Sequence, residues 1–209
     1  LVIEDNPINQ QLAKELIQTW GAIVDVAEDG RQGLDLLLQH PPDHYAVVLM
    51  DLQMPVLDGY EATRQIRSDD RFVNLPIVAM TAHAMAEERE RCLLLGMNGH
   101  ISKPIDPELL YTTLMGFARP GMPMRHGPTT PPATSHVAKL ADPLDQLLDV
   151  PQLDTKAGLR HANGNKILYR RLLTEFMRDY AGFSTTIRVM LASDQWEDAT
   201  RLAHTLKGL

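Results

Sequence analysis

Two residues are candidate phosphate acceptors of different chemistry, one toward each end of the sequence. Asp51 follows an apolar run in Val-Val-Leu-Met-Asp-Leu-Gln-Met-Pro, and His204 lies in Ala-His-Thr-Leu-Lys-Gly. An acyl phosphate on aspartate and a phosphoramidate on histidine are both labile enough to exchange a phosphoryl group. The pair therefore predicts a phosphoryl relay, provided that the rest of the sequence builds a site around each residue.

The elements that must position Asp51 are predicted by residues 1–118, where short β-rich runs alternate with helical patterns. Strands are expected at residues 1–4, 23–27, 46–50, 77–80 and 100–102. Helices are expected at residues 7–20, 29–39, 58–67, 84–95 and 106–117. This alternation predicts right-handed crossovers and an open parallel sheet of five strands with five helices. In such sheets the functional site lies at the carboxyl ends of the strands.

Three acidic residues fall at predicted strand ends. Glu4 and Asp5 end the first strand, and Asp51 ends the third. If those two strands are neighbours, the three carboxylates converge and repel one another unless a cation lies among them. Mg²⁺ suits a site with hard oxygen ligands that also meets phosphate.

A hydroxyl and an ammonium complete this edge of the sheet. Thr81 ends the fourth predicted strand and Lys103 ends the fifth. Both side chains are able to bind phosphoryl oxygens by hydrogen bond or charge. Each residue alone also fits a helix cap, a turn or a solvated surface position. The occurrence of all five at strand ends is what favours a site.

Residues 1–118 resemble the receiver domain of two-component response regulators, which has a flavodoxin-like fold. The matching motifs are Ile3-Glu4-Asp5-Asn6, Met50-Asp51-Leu52-Gln53-Met54-Pro55 with Asp58-Gly59, Met80-Thr81-Ala82 and Ser102-Lys103-Pro104. The resemblance implies that Asp51 is the nucleophile that accepts the phosphoryl group. It implies Mg²⁺ as cofactor, bound by Asp5, Asp51 and the backbone carbonyl of Gln53, with Glu4 acting through a metal-bound water. Thr81 and Lys103 would hold the phosphoryl oxygens.

Two positions depart from that family. Glu4 stands where aspartate is more common, and its longer arm still suits contact through a water. His100 stands where the family's switch residue is most often Tyr or Phe. A role for His100 as the switch and a plain role as a strand residue are equally compatible with the sequence.

A proline-rich stretch separates this half from a helical one. Residues 119–136 hold five prolines in 18 residues, which predicts a linker over residues 119–141. Residues 142–209 predict helices at about 154–162 and 165–192, then a last helix that carries His204. Two long helices form a hairpin, which is half of a four-helix bundle. We therefore expect the hairpin to be disordered, docked on the first domain, or paired with another chain, as in a homodimer.

The segment around His204 resembles the signature of histidine phosphotransfer (HPt) domains. Arg201 and Lys207 lie three residues to either side of His204, on the same helical face. Both cations favour the neutral, nucleophilic imidazole and screen an incoming phosphoryl charge. The resemblance covers residues 145–209 and lacks the two later helices of the family, which implies an incomplete domain with His204 as its phosphoacceptor.

Together the two halves resemble the C-terminal part of an unorthodox hybrid sensor histidine kinase. The chain starts within a strand pattern and ends within a helical one, so we expect it to be a segment of a longer protein. The resemblance implies a kinase core in the parent chain and a downstream response regulator as partners. It also implies a cytoplasmic location, with the parent anchored in the inner membrane.

Charge and composition argue against other classes. Residues 1–118 hold 8 Lys and Arg against 18 Asp and Glu, so we expect no nucleic-acid partner there. No apolar run approaches the roughly 18 residues of a membrane span, so we expect no membrane contact by this segment. The single cysteine, Cys92, excludes a disulfide scaffold. No His-x₃-His pair falls on a predicted helix, so we expect no zinc site.

The sequence argues against three alternative functions. A regulatory binding module that is never phosphorylated would be expected to lack Asp51 or Lys103. A haloacid-dehalogenase-type phosphohydrolase needs Asp-x-Asp, and Gln53 occupies its second position. A flavin-binding flavodoxin needs a hydroxyl- and glycine-rich loop after the first strand, which the sequence lacks. The regulatory module is the strongest of the three.

Overall fold

A parallel five-stranded sheet forms the centre of the first domain. A computed structural model describes residues 1–82, 86–117 and 153–207, and for residues 204–207 it describes the backbone only. The strand order is β2-β1-β3-β4-β5 with all pairs parallel, so the predicted adjacency of the first and third strands is confirmed. The strands are β1 (Val2–Ile3), β2 (Val26–Ala27), β3 (Val48–Asp51), β4 (Ile77–Thr81) and β5 (Gly99–Ser102).

Five helices cover the two faces of this sheet. They are α1 (Pro7–Thr19), α2 (Gly30–Gln39), α3 (Gly59–Arg67), α4 (Ala86–Leu94) and α5 (Pro107–Phe117). Every residue of β3 and β4 is buried, as expected of central parallel strands covered on both faces. Alternate strand residues belong to two apolar cores, one beneath α2 and α3 and the other beneath α1 and α5. The α/β part of the predicted fold is therefore confirmed.

Local signals placed the helix starts well and the strand lengths less well. Asn6 caps α1 by accepting hydrogen bonds from the N–H groups of Ile8 and Asn9, and Pro7 takes the first helical position. The second strand was predicted from residue 23, but Ile23 is 96% exposed and β2 begins at Val26. A β-branched residue favours extended backbone, yet it cannot by itself supply a strand partner.

The described residues of the second half, 153–207, form four further helices: α6 (Thr155–His161), α7 (Lys166–Tyr180), α8 (Phe183–Ala192) and α9 (Trp196–Lys207). The long helix predicted over residues 165–192 is wrong, because the chain turns at residues 181–182. Gly182 precedes α8, and glycine disfavours a helix interior by about 1 kcal/mol relative to alanine. The predicted linker and the domain boundaries within it lie outside the described residues and stay predictions.

The second half docks on the first through α7. Leu168 and Tyr169 are buried in the same apolar core as the residues of α1 and α5. The ion pair between Arg171 and Glu15 borders this contact. Of the three arrangements expected for the hairpin, the structure has the docked one. Among the described helices, none combines the length and the apolar character that a membrane crossing requires.

Candidate functional site

The three predicted carboxylates meet at the carboxyl edge of the sheet. Strand β1 pairs with β3 so that Ile3 lies opposite Met50, which brings the residues after β1 beside Asp51. One carboxylate oxygen from each of Glu4, Asp5 and Asp51 lies within 4.8 Å of the others. Sequence reasoning therefore placed these acids correctly, because the carboxyl ends of adjacent parallel strands share one edge.

Lys103 lies between two of these carboxylates. Its Nζ is 2.6 Å from Glu4 Oε2 and 2.7 Å from Asp51 Oδ2. The Lys103 side chain is only 6% exposed, and the backbone N–H of Lys103 donates to the Thr81 carbonyl at 2.7 Å. Lys103 thus neutralises part of the acidic cluster from the far side of β4.

Burial and mutual repulsion shift the proton affinities of the cluster. The pKa of Glu4 is raised to about 7, chiefly by burial; Asp51 adds to the rise, and Lys103 and Asn9 oppose it. Burial and the nearby Asp51 also raise the pKa of Asp5. Burial alone would lower the pKa of Lys103, but Glu4 and Asp51 outweigh it and the pKa is raised. Burial is therefore the largest cause of the raised carboxyl pKa values, and repulsion by Asp51 adds to it.

Backbone and amide groups orient the carboxylates. Asp51 Oδ1 accepts the N–H of Gln53 at 3.1 Å, and Glu4 Oε1 accepts a hydrogen from Asn9 Nδ2 at 3.1 Å. The acids, Lys103, Thr81 and Gln53 all line one small cavity of about 20 Å³. That volume is enough for one water-sized group, since a single water needs about 10–15 Å³.

A contact that sequence reasoning missed holds the Thr81 hydroxyl. Thr81 Oγ1 donates to Glu88 Oε2 at 2.6 Å, and the Tyr60 hydroxyl donates to Glu88 Oε1 at 3.0 Å. Glu88 lies on α4, and nothing in its sequence neighbourhood marks it apart from the adjacent acids. The hydroxyl at the edge of the site is therefore already engaged by a carboxylate.

Of the two remaining candidates, His100 stands apart from this cluster, and His204 is described by its backbone alone. His100 is half-buried on β5, opposite Ala79 of β4, and does not line the cavity. His204 lies on the backbone of α9, and its side chain lies outside the described residues. The switch role of His100 and the phosphoacceptor role of His204 both stay predictions.

Helix α9 nevertheless runs close to the carboxylate edge. Trp196, Glu197, Thr200 and Arg201 line a cleft of about 510 Å³. Its other wall is formed by Asp5, Gln53, Met54 and Pro55. The Arg201 guanidinium is near enough to lower the pKa of Asp5, although burial and Asp51 dominate that pKa. The helix that carries His204 thus borders the acidic site.

Residues 1–115, more than half of the chain, match the family model described as response regulator receiver domain. The chain belongs to this family. The receiver domain of sensor histidine kinase PA1611 from Pseudomonas aeruginosa PAO1, solved with magnesium in its active site cleft, is similar, with a TM-score of 0.51 and 37% identity over 56% of this chain and 93% of that one. The chemotaxis receiver CheY4 of Vibrio cholerae gives a TM-score of 0.52 and 26% identity over 56% of this chain and 95% of that one.

The curated relatives of this receiver are larger proteins. The histidine-protein kinase BarA of Shigella flexneri is 30% identical over 208 residues, which cover 100% of this chain and 21% of BarA. Hybrid signal transduction histidine kinase I of Dictyostelium discoideum is 42% identical over 118 residues, 54% of this chain and 7% of that kinase. The chain thus spans about a fifth or less of the length of these relatives. The predicted receiver resemblance is confirmed, whereas the HPt domain stays a prediction.

Proposed function

We propose that the chain is a phosphorelay module of a hybrid two-component sensor kinase, in which Asp51 accepts a phosphoryl group from a kinase histidine. The convergence of Glu4, Asp5, Asp51 and Lys103 at one buried edge supports this most directly. The similarity to BarA over the whole chain supports the proposed architecture of the parent protein. In that architecture a kinase core lies in the same chain and a separate response regulator acts downstream.

The acidic cluster fits Mg²⁺. Three carboxylates face one another around a single buried ammonium, and burial, together with the charge of Asp51, raises the pKa of Glu4 and of Asp5. Asp5, Asp51 and the Gln53 carbonyl would bind the ion, with Glu4 acting through a water. When bound, the ion would neutralise charge on the transferring phosphoryl group.

The chain's own residues supply the nucleophile and the remaining charge. An Asp51 carboxylate oxygen forms a bond to phosphorus while the phosphorus–nitrogen bond of the donor phosphohistidine breaks. The departing imidazole keeps the bonding electron pair and takes up a proton. Lys103 exchanges its contact with the Asp51 carboxylate for one with a phosphoryl oxygen, and the Thr81 hydroxyl donates to a second oxygen.

The onward step passes the group from Asp51 to His204. The position of α9 along a cleft shared with Asp5 supports it, because Arg201, one turn before His204, already acts on the Asp5 carboxylate. A cation beside the acceptor screens the incoming phosphoryl charge. This step completes the relay in the direction from aspartate to histidine.

Removal of Mg²⁺ is expected to abolish phosphorylation of the full 209-residue chain by acetyl phosphate. With Mg²⁺ the label should be largely base-labile, as an acyl phosphate is, with an acid-labile and base-stable fraction on His204. With excess EDTA both fractions should fall to background, because the three carboxylates then repel the phosphoryl donor. Phosphate-affinity gels after acid and base treatment provide the measurement.

The His204→Gln variant is the matched control for the relay step, since it should keep the base-labile label and lose only the acid-labile, base-stable one. Label that persists in EDTA would refute the proposed site. A chain that takes no label with or without Mg²⁺ would favour the regulatory binding module instead.

Glu88→Ala is expected to raise the rate of labelling at limiting acetyl phosphate. Glu88 accepts the Thr81 hydrogen at 2.6 Å, so the hydroxyl must leave it before it can bind a phosphoryl oxygen. A hydrogen bond to a charged group contributes about 1.5–3 kcal/mol, so the rate should rise on the order of tenfold. Glu87→Ala, at the exposed neighbouring position, is the matched control and should label like wild type. Equal rates in the two variants would contradict the competition.

A further inference from the structure

A second group of metal-binding side chains lies at the opposite edge of the sheet, where the strands begin. Asp25 immediately precedes β2, His40 caps the end of α2, and His44 follows in the loop to β3. One ligand atom from each of the three lies within 4.8 Å of the others. Within the described ranges, only this group and the carboxylate cluster bring three such ligand atoms together.

The two groups differ in chemistry. The site at Asp51 offers oxygen ligands alone, which favour hard ions such as Mg²⁺. The second group offers two imidazoles and one carboxylate, a set that favours borderline transition ions. Imidazole nitrogen and carboxylate oxygen both bind Zn²⁺ at about 2.0–2.2 Å, and three protein ligands leave a fourth position for water.

The ligand atoms are close together, but the two imidazole planes are not oriented toward one ion. His44 Nε2 is 4.0 Å from Asp25 Oδ2, and the rings of His40 and His44 are stacked, with centroids 4.0 Å apart and an interplanar angle of 7°. Because each nitrogen lone pair lies in its ring plane, one ring must turn about its side-chain torsions before both imidazoles can bind the same ion. Ligands of a tetrahedral zinc ion lie roughly 3.3 Å apart. Because His44 and Asp25 are 41% and 44% exposed, the remaining approach needs only rotation of side chains.

Tyr45 contacts all three residues of this group. Its buried hydroxyl donates to Asp25 Oδ2 at 2.9 Å, and its ring meets both imidazoles edge to face. Hydrogen bonds that orient a metal-binding carboxylate typically change metal affinity by about 10–100-fold. Asp25 is thus held by a partner of the kind that known metal centres use.

We propose that Asp25, His40 and His44 form a site for one divalent transition ion of the zinc class. The ion would join the start of β2 to the loop before β3, on the face of the domain remote from Asp51. The signal that sequence reasoning passed over is His-Pro-Pro-Asp-His, a His-x₃-His spacing in a loop rather than on a helix.

The test is isothermal titration of the full chain with ZnCl₂ in excess Mg²⁺, which occupies the carboxylate cluster. Wild type should bind one Zn²⁺ at this site, and His40→Ala or His44→Ala should each weaken it at least about 100-fold. Tyr45→Phe should weaken it about tenfold, since only the orienting hydroxyl is lost. Asp35→Asn, an exposed acid on α2, is the matched control and should bind as wild type does.

Nuclear magnetic resonance of the imidazole groups gives a second readout that does not depend on affinity. Two histidine side chains should shift together on addition of one equivalent of Zn²⁺, and both shifts should vanish in His44→Ala. Unchanged zinc affinity in His40→Ala and His44→Ala would overturn the proposal. Zinc binding that is lost only in Asp51→Asn would overturn it as well.

Discussion

Asp51→Asn is expected to reduce labelling by acetyl phosphate to background, on the order of 10³-fold or more. The amide nitrogen is a poor nucleophile because its lone pair is delocalised into the carbonyl. The fold should survive, since the side-chain carbonyl oxygen of the new amide can still accept the Gln53 N–H that Asp51 accepts at 3.1 Å. Without Mg²⁺ the variant should melt no lower than wild type, because one of three repelling carboxylates is gone.

The measurement is Mg²⁺-dependent label incorporation, followed alongside thermal melting. Asp58→Asn is the matched control, because Asp58 is an exposed cap of α3 that accepts the Glu61 N–H at 2.8 Å, and asparagine caps equally well. It should label like wild type. If Asp51→Asn labels as well as Asp58→Asn, then Asp51 is not the phosphoacceptor.

Lys103→Met is expected to lower both labelling and stability. The side chain is 6% exposed and pairs with Glu4 and Asp51 at 2.6 and 2.7 Å, so its loss leaves two buried carboxylates without a cation. Removing one partner of a buried ion pair costs about 3–5 kcal/mol. For a chain of this size that corresponds to a fall in melting temperature of roughly 6–20 °C in EDTA.

Addition of Mg²⁺ separates the two effects. The ion should restore much of the melting temperature of Lys103→Met, because it supplies positive charge to the same carboxylates, while labelling stays low. The double variant with Glu4→Gln should recover stability without Mg²⁺, since one buried charge is removed. Lys156→Met, at an exposed position on α6, should leave both properties unchanged. If Lys103→Met has the same melting temperature as wild type in EDTA, then the ion pairs of Lys103 do not stabilise the fold.

The parts of the site that could be predicted from the sequence are those that follow strand ends. Asp51 ends an apolar strand and Lys103 directly follows the fifth strand, and parallel strands bring such positions to one edge regardless of loop detail. The contact between Thr81 and Glu88 could not be predicted in this way. It depends on the rotation of α4 about its axis, which the exposed and highly charged sequence of that helix does not specify.

The same limit applies farther along the chain. The apolar stripe of the second half continues through Phe176, Tyr180 and Phe183, which predicted one long helix. The apolar residues before and after the turn keep the same helical spacing, so the pattern does not reveal that the chain changes direction between them. Gly182 is the one local signal of the turn. Asp25 and His44 are likewise joined by tertiary packing of separate elements, which no local pattern encodes.

Asn6 connects the docked helices to the acidic edge. Its backbone N–H approaches Glu4 Oε1 at 3.4 Å, its side-chain oxygen caps α1, and its Nδ2 donates to the Tyr180 hydroxyl at 2.8 Å. A change at the carboxylates that moves Asn6 therefore alters the free energy of docking of α7. Thermodynamic linkage makes that coupling reciprocal. If phosphorylation changes the equilibrium constant of docking by some factor, docking changes the equilibrium constant of phosphorylation by the same factor. Any such coupling between the second half and the acidic edge would act at fixed stoichiometry, because both belong to one chain.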